Sequence, residues 1–159
     1  RKCLTATFKA LTNGAGQAFT DVEAAKATLL ARTDTTKKIG VIGFCMGGGL
    51  TLALACQRPD AVAAAAPFYG VTPWPEAQPN WDALAAVVEG HYAENDAFAS
   101  PEMAKALEVD LRKRGKNATF HVYAGTDHAF FNDERPEVYN AAASSTAWTR
   151  TLALFRANL

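Results

Sequence analysis

Two hydrophobic periodicities alternate along the chain. Leu4, Phe8 and Leu11 fall at i, i+4 and i+7, which predicts a short helix over Cys3–Leu11, although Leu4, Ala6 and Phe8 also alternate as a strand would. Thr20, with Glu23 three residues later, has the form of a helix cap and predicts an alanine-rich helix to about Ala31, ended by Thr33-Asp34-Thr35. Ile39–Phe44 is apolar and β-branched without alternation, the pattern of a strand covered on both faces. Beyond the Gly47-Gly48-Gly49 run, Leu50–Cys56 predicts a buried helix closing near Arg58-Pro59. Ala61–Phe68 and Ala85–Tyr92 predict two further strands. Ser100-Pro101-Glu102 offers a cap, a first-turn proline and a favourable acid for a helix running to Gly115. Ala118–Tyr123 predicts a fourth strand. From Pro136 onward, a long helix places Ala141, Ser145, Trp148, Leu152, Phe155 and Leu159 on one stripe. Strands and helices in alternation predict the α/β class, with a mostly parallel sheet flanked by helices.

Composition narrows the functions. The 159 residues fit one domain spanning 1–159, with no internal repeat or low-complexity linker. Sixteen basic and sixteen acidic residues give no net charge, which argues against a nucleic-acid partner or a polybasic membrane anchor. The 49% hydrophobic content overstates the core, because 33 residues are alanine and bury little area each. The longest apolar stretches, Ala61–Phe68 and Ala83–Val88, fall far short of the roughly 20 residues that span a bilayer. Cys3, Cys45 and Cys56 are odd in number and show no zinc-type spacing, so neither a disulfide framework nor a metal site is expected, and a cytoplasmic location is. Arg1-Lys2-Cys3 is neither a translation start nor a signal peptide, and the expectation is a chain that continues upstream.

The chemistry is concentrated in Gly43-Phe44-Cys45-Met46-Gly47, a G-x-C-x-G between a buried strand and a helix. A nucleophile elbow turns so sharply that glycine is wanted two residues either side of the nucleophile, and Gly43 and Gly47 stand there. Cys45 would sit at a helix N-terminus, where backbone N–H groups and the helix dipole stabilise a thiolate. The plainer alternative is a packed cysteine beside glycines that allow close helix packing. A phosphate loop is not supported, since GxGxxG is absent and no Lys-Ser/Thr follows the glycines. Asp96 and His128 fall in loops after the third and fourth predicted strands, the chain order of nucleophile, acid and histidine that an elbow enzyme uses. His91 and His121 lie inside strand patterns and read as packed or surface residues. Glu94 and Asp127 compete with Asp96 less well, one being too near its strand and the other too near His128.

Gly43-Phe44-Cys45-Met46-Gly47-Gly48, Asp96 and Asp127-His128-Ala129-Phe130 together resemble the dienelactone hydrolase family of α/β-hydrolases, and the resemblance runs from about Phe19 to Leu159. It implies a Cys45 nucleophile, a His128 base, an Asp96 orienter, the Met46 N–H as oxyanion donor, and ester or lactone hydrolysis through an acyl-enzyme without a cofactor. Two departures accompany it. Only 38 residues precede Ile39, too few for the family's upstream strands and second oxyanion donor, so the domain is expected to be N-terminally incomplete, with an exposed sheet edge open to self-association. The arginine nearest His128 is Arg135, further along than the family pattern places it. Phe44, Tyr69, Trp74 and Phe130 are further candidate substrate contacts, although the aromatics of the proline-rich loop, Trp74 and Trp81, and the pair Phe130-Phe131 read equally well as packing. The competing functions are a thioesterase or acyl-transfer enzyme with the same triad, and a non-catalytic scaffold or fragment.

Overall fold

The computed structural model describes residues 2–72 and 75–159. Four parallel strands, β1 (Ile39–Phe44), β2 (Val62–Phe68), β3 (Val87–Asn95) and β4 (Ala118–Asp127), form one sheet in the order β1-β2-β3-β4. Between them run α3 (Met46–Gln57) and α4 (Pro101–Lys113). α1 (Lys2–Thr12) and α2 (Gln17–Ala31) precede the sheet, and α5 (Ala141–Asn158) ends the chain. Leu52, Ala55 and Cys56 of α3 and Leu111 of α4 pack with Val62, Ala65, Val88 and Ala118, while Ala143, Ala147 and Leu154 of α5 pack with Ala64, Ala66, Phe68 and Tyr123. This is the expected α/β arrangement, with helices flanking a parallel sheet. No helix among the described residues is long and apolar enough to cross a membrane.

The alanines of β2 do work that larger apolar residues could not, letting helices approach a strand buried along its length. Glycines do the same at two points. A Cβ on Gly40 would lie 2.8 Å from Leu159 and 2.9 Å from Phe155 of α5, and one on Gly48 would lie 2.9 Å from Gly70 Cα. The glycine run is therefore the first turn of α3 and not a loop ahead of it, which moves the helix start from Leu50 to Met46.

Other boundaries also differ from the pattern reading. α2 begins at Gln17 behind Gly16. Thr20 bonds back to Gly16 O, and Glu23 turns instead to Arg58 Nε at 2.5 Å, because an ion pair across to α3 outcompetes a local capping box. β3 starts two residues later than expected, at Val87, after a 3₁₀ turn over Trp81–Ala83. β3 and β4 each extend beyond their apolar runs, to Asn95 and Asp127. α5 begins at Ala141 and not near Pro136. Asn132 through Tyr139 form consecutive turns, and the Asn140 side chain accepts from Ala143 N–H at 3.0 Å to cap the helix. The α4 start follows the pattern, with Ser100 accepting from Met103 N–H ahead of Pro101.

Candidate active site

Parallel strands bring every loop that follows a strand to the same sheet edge, so the residues after β1, β2, β3 and β4 converge there. After β1, the chain reverses within one residue. Cys45 has φ 53° and ψ −118°, its N–H donates to Phe68 O at 3.0 Å, and its own carbonyl accepts from Gly48 N–H at 3.0 Å as α3 begins. Gly43 is required by this turn, since a Cβ there would lie 2.1 Å from Gly47 O. Gly47 is not, because a Cβ on it would meet nothing within 4 Å. The side chain of Cys45 is exposed, whereas Cys56 is buried and its thiol is pushed up to about 12 by that burial.

Asp96 and His128 meet in the loops after β3 and β4. Asp96 Oδ2 lies 2.6 Å from His128 Nδ1, and Asp96 Oδ1 accepts from Phe98 N–H at 2.7 Å and Ala99 N–H at 3.0 Å. With the carboxylate accepting, Nδ1 is the donor and Nε2 faces away from Asp96. The carboxylate is fully buried, while the imidazole keeps part of its surface open. The rival acids are otherwise placed: Glu94 takes Gly125 N–H at 2.8 Å, and Asp127 is exposed. His91 is fully buried, and His121 pairs with Glu89 at 2.7 Å. Cys45 reaches the same edge, yet no hydrogen bond joins its sulfur to His128 among the described residues.

The aromatic candidates separate into exposed and buried rings. Tyr69 is 4% exposed, adopts φ 37°, and meets the His128 ring edge-on at 5.0 Å. Burial first, and Cys45 second, hold its hydroxyl above its ordinary range and so neutral. Phe44 is 40% exposed and packs on Phe68 and Phe131 at ring distances of 4.9 and 5.4 Å. Phe130 is fully buried against Tyr69 and Tyr123, as in the packing alternative for this residue. Its carbonyl accepts from Asn140 N–H at 2.9 Å and Ser144 Oγ at 3.0 Å, tying that loop to α5. Arg135 is exposed and turned to Glu137, with N–O distances of 2.9 and 2.8 Å. Trp74 lies outside the described residues. Phe98, standing beside His128, escaped the sequence reading; the signal was an Asx turn, Asp followed two residues later by an N–H it can hold. Among the described residues, no three His, Cys, Asp or Glu side chains gather as a metal site.

An α/β sheet with a cysteine on a strained elbow and an Asp–His pair at the same edge belongs to the α/β-hydrolase class. The dienelactone hydrolase family model matches residues 1–159, and the chain belongs to that family. Protein usf of Aquifex pyrophilus is 32% identical over 79% of this chain and 53% of its own length. An Aquifex aeolicus protein, provisionally named a carboxymethylenebutenolidase, is 31% identical over 77% of this chain and 52% of its own. A crystal structure from Klebsiella pneumoniae, provisionally named a dienelactone hydrolase, is 27% identical with a TM-score of 0.76 over 86% of this chain and 59% of that one. The chain thus spans about half the length of the curated relatives it matches.

Proposed function

We propose that this chain carries the reacting groups of a hydrolase of small esters or lactones, with Cys45 as nucleophile, His128 as general base and acid, and Asp96 as orienter. The observation that supports it best is the buried Asp96 carboxylate on His128 Nδ1, at the sheet edge to which the elbow delivers an exposed Cys45. With a substrate in place, Nε2 takes the thiol proton and the sulfur adds to the carbonyl carbon. The oxyanion forms next to Met46 N–H, which opens α3 ahead of the first bonds of that helix and points its dipole at the new charge. Collapse breaks the carbon–oxygen bond, His128 returns the proton to the leaving oxygen, and a thioester on Cys45 remains. Water then attacks, giving its proton to Nε2, and the acid is released as the thiol reforms. Side chains, one backbone N–H and water suffice for each step. A single domain over residues 1–159 is part of this reading.

The test replaces each cysteine in turn. Cys45→Ala is expected to bring hydrolysis of 4-nitrophenyl acetate to the uncatalysed background and to remove the acyl adduct seen by mass spectrometry. Cys3→Ala and Cys56→Ala are expected to keep most of the activity. Substantial turnover by Cys45→Ala overturns the nucleophile.

A further inference from the structure

His128 is bracketed by two rings of opposite character. Tyr69 is buried and fixed from below by its N–H bond to His91 O at 2.7 Å. Phe98 is 83% exposed, the most open of the large apolar side chains described, with its ring 6.1 Å from the imidazole and tilted 50° to it. So open a ring adds almost nothing to the stability of the fold. Its backbone is nevertheless held firmly. Asp96 Oδ1 takes the N–H of Phe98 and of Ala99, Ala99 is buried, and Ser100 caps α4 one residue further on. The carboxylate that orients His128 therefore also fixes the Cα from which Phe98 projects. A loop clamped at both ends, presenting an apolar ring to solvent beside the general base, has the form of one wall of a binding site.

The direction of the chemistry says which part of a substrate that wall meets. His128 hands a proton to the leaving oxygen, so a ring next to His128 adjoins the leaving group and not the acyl group. We propose that Phe98 is a specificity residue that favours esters whose leaving group is planar and apolar, such as an aryl oxygen. This rests on the reading of Cys45 and His128 as the reacting pair. An aromatic contact of this kind is worth about a 2- to 12-fold preference.

Two measurements test it on the 159-residue chain. In the first, the ratio of kcat/KM for phenyl acetate to that for ethyl acetate is expected to fall by about 2- to 12-fold in Phe98→Ala, through KM, and to recover in Phe98→Tyr. In the second, the alkylation rate of Cys45 by 2-iodo-N-phenylacetamide relative to iodoacetamide is followed by peptide mass spectrometry. Exposed Cys3 of the same molecule serves as the reference for intrinsic reactivity. The aryl preference at Cys45 is expected to fall in Phe98→Ala. An unchanged aryl preference in the Ala variant, in either measurement, overturns the assignment. If ester turnover proves independent of Cys45, the proposed hydrolysis fails, and the alkylation ratio alone then decides the role of Phe98.

Discussion

Cys45, Tyr69 and Ala129 are three of the four non-glycine residues with positive φ among those described, and all three lie at the candidate site. Each such conformation costs about 1–3 kcal/mol and persists only where its surroundings fix it. Here they do: Cys45 N–H is held by Phe68 O, Tyr69 N–H by His91 O, and the turn at Ala129 by the pinned Phe130 carbonyl. Asp96 takes three donors on two oxygens, from Phe98 N–H, Ala99 N–H and His128 Nδ1. Asp96→Asn is expected to lower turnover by about 10⁴-fold, since an amide facing Nδ1 favours the wrong tautomer. Glu94→Gln and Asp127→Asn are expected to cost far less, because those carboxyl groups face Gly125 N–H and solvent. Steady-state hydrolysis of one activated ester by the three variants checks this, and a dominant loss at Asp127 would move the acid. That Asp96 and His128 would meet was legible because chain order and loop position are written in sequence. The exposure of Phe98 and the burial of Phe130 were not, because loop aromatics carry no periodicity to say which one faces solvent. Gly47 misled for a related reason, as motif spacing does not report the space around a Cα.

At the scale of elements, His91 joins three of them. Thr151 Oγ1 of α5 donates to Ala147 O, so it accepts from His91 Nε2–H at 3.1 Å; His91 Nδ1 then accepts from Tyr123 O–H of β4 at 2.9 Å, and Arg150 donates to the same phenol oxygen at 3.1 Å. Burial, with His121 and Arg150 adding to it, pushes the His91 imidazole down from 6.5 to about 3. The unfolded chain accepts a proton here below pH 6.5 and the folded chain does not. The contribution is whole above pH 6.5 and is lost as pH falls toward 3, by up to about 1.4 kcal/mol per pH unit. His91→Gln is expected to weaken the protein at pH 7.5 yet flatten the decline of its urea midpoint between pH 6.5 and 4. An equally steep decline in the variant would place the acid sensitivity elsewhere. The elements themselves were legible because short β-branched or alanine-rich runs bounded by glycine and proline read as strands, and Ser100-Pro101 starts a helix by purely local chemistry. Boundaries set by distant partners were not: the Glu23–Arg58 pair decides the start of α2, and Asn140 with the Phe130 carbonyl overrides Pro136.

For the molecule as a whole, the two sheet edges contrast. At Ala118–Phe120 β4 is capped by α4, whose Glu108 accepts from Phe120 N–H at 3.3 Å and whose Arg112 donates to Ala118 O at 2.8 Å, while Val122 further along is exposed. β1 pairs only with β2, and Ile42 and Phe44 are exposed on it. Beside it runs an apolar groove of about 410 Å³ that includes Val22 and Leu29 of α2, Val41 and Leu54, and α2 buries no residue completely. An uncovered parallel edge strand with apolar neighbours is an open pairing surface, and the matched segments cover only 53% and 52% of two curated relatives. A version extended upstream, with a partner strand for β1, is therefore expected to be more stable and to self-associate less than the 159-residue chain. It is also expected to turn over faster. In the proposed mechanism Met46 N–H is one oxyanion donor and the upstream segment supplies a second, and removing one donor typically costs about 10²- to 10³-fold. Both lengths would be compared for turnover of one activated ester, for molar mass by light scattering, and for amide exchange along Ile39–Phe44. A 159-residue monomer with protected β1 amides and undiminished turnover would show that α1 and α2 already close this edge, and the expectation of an upstream partner for β1 would be wrong.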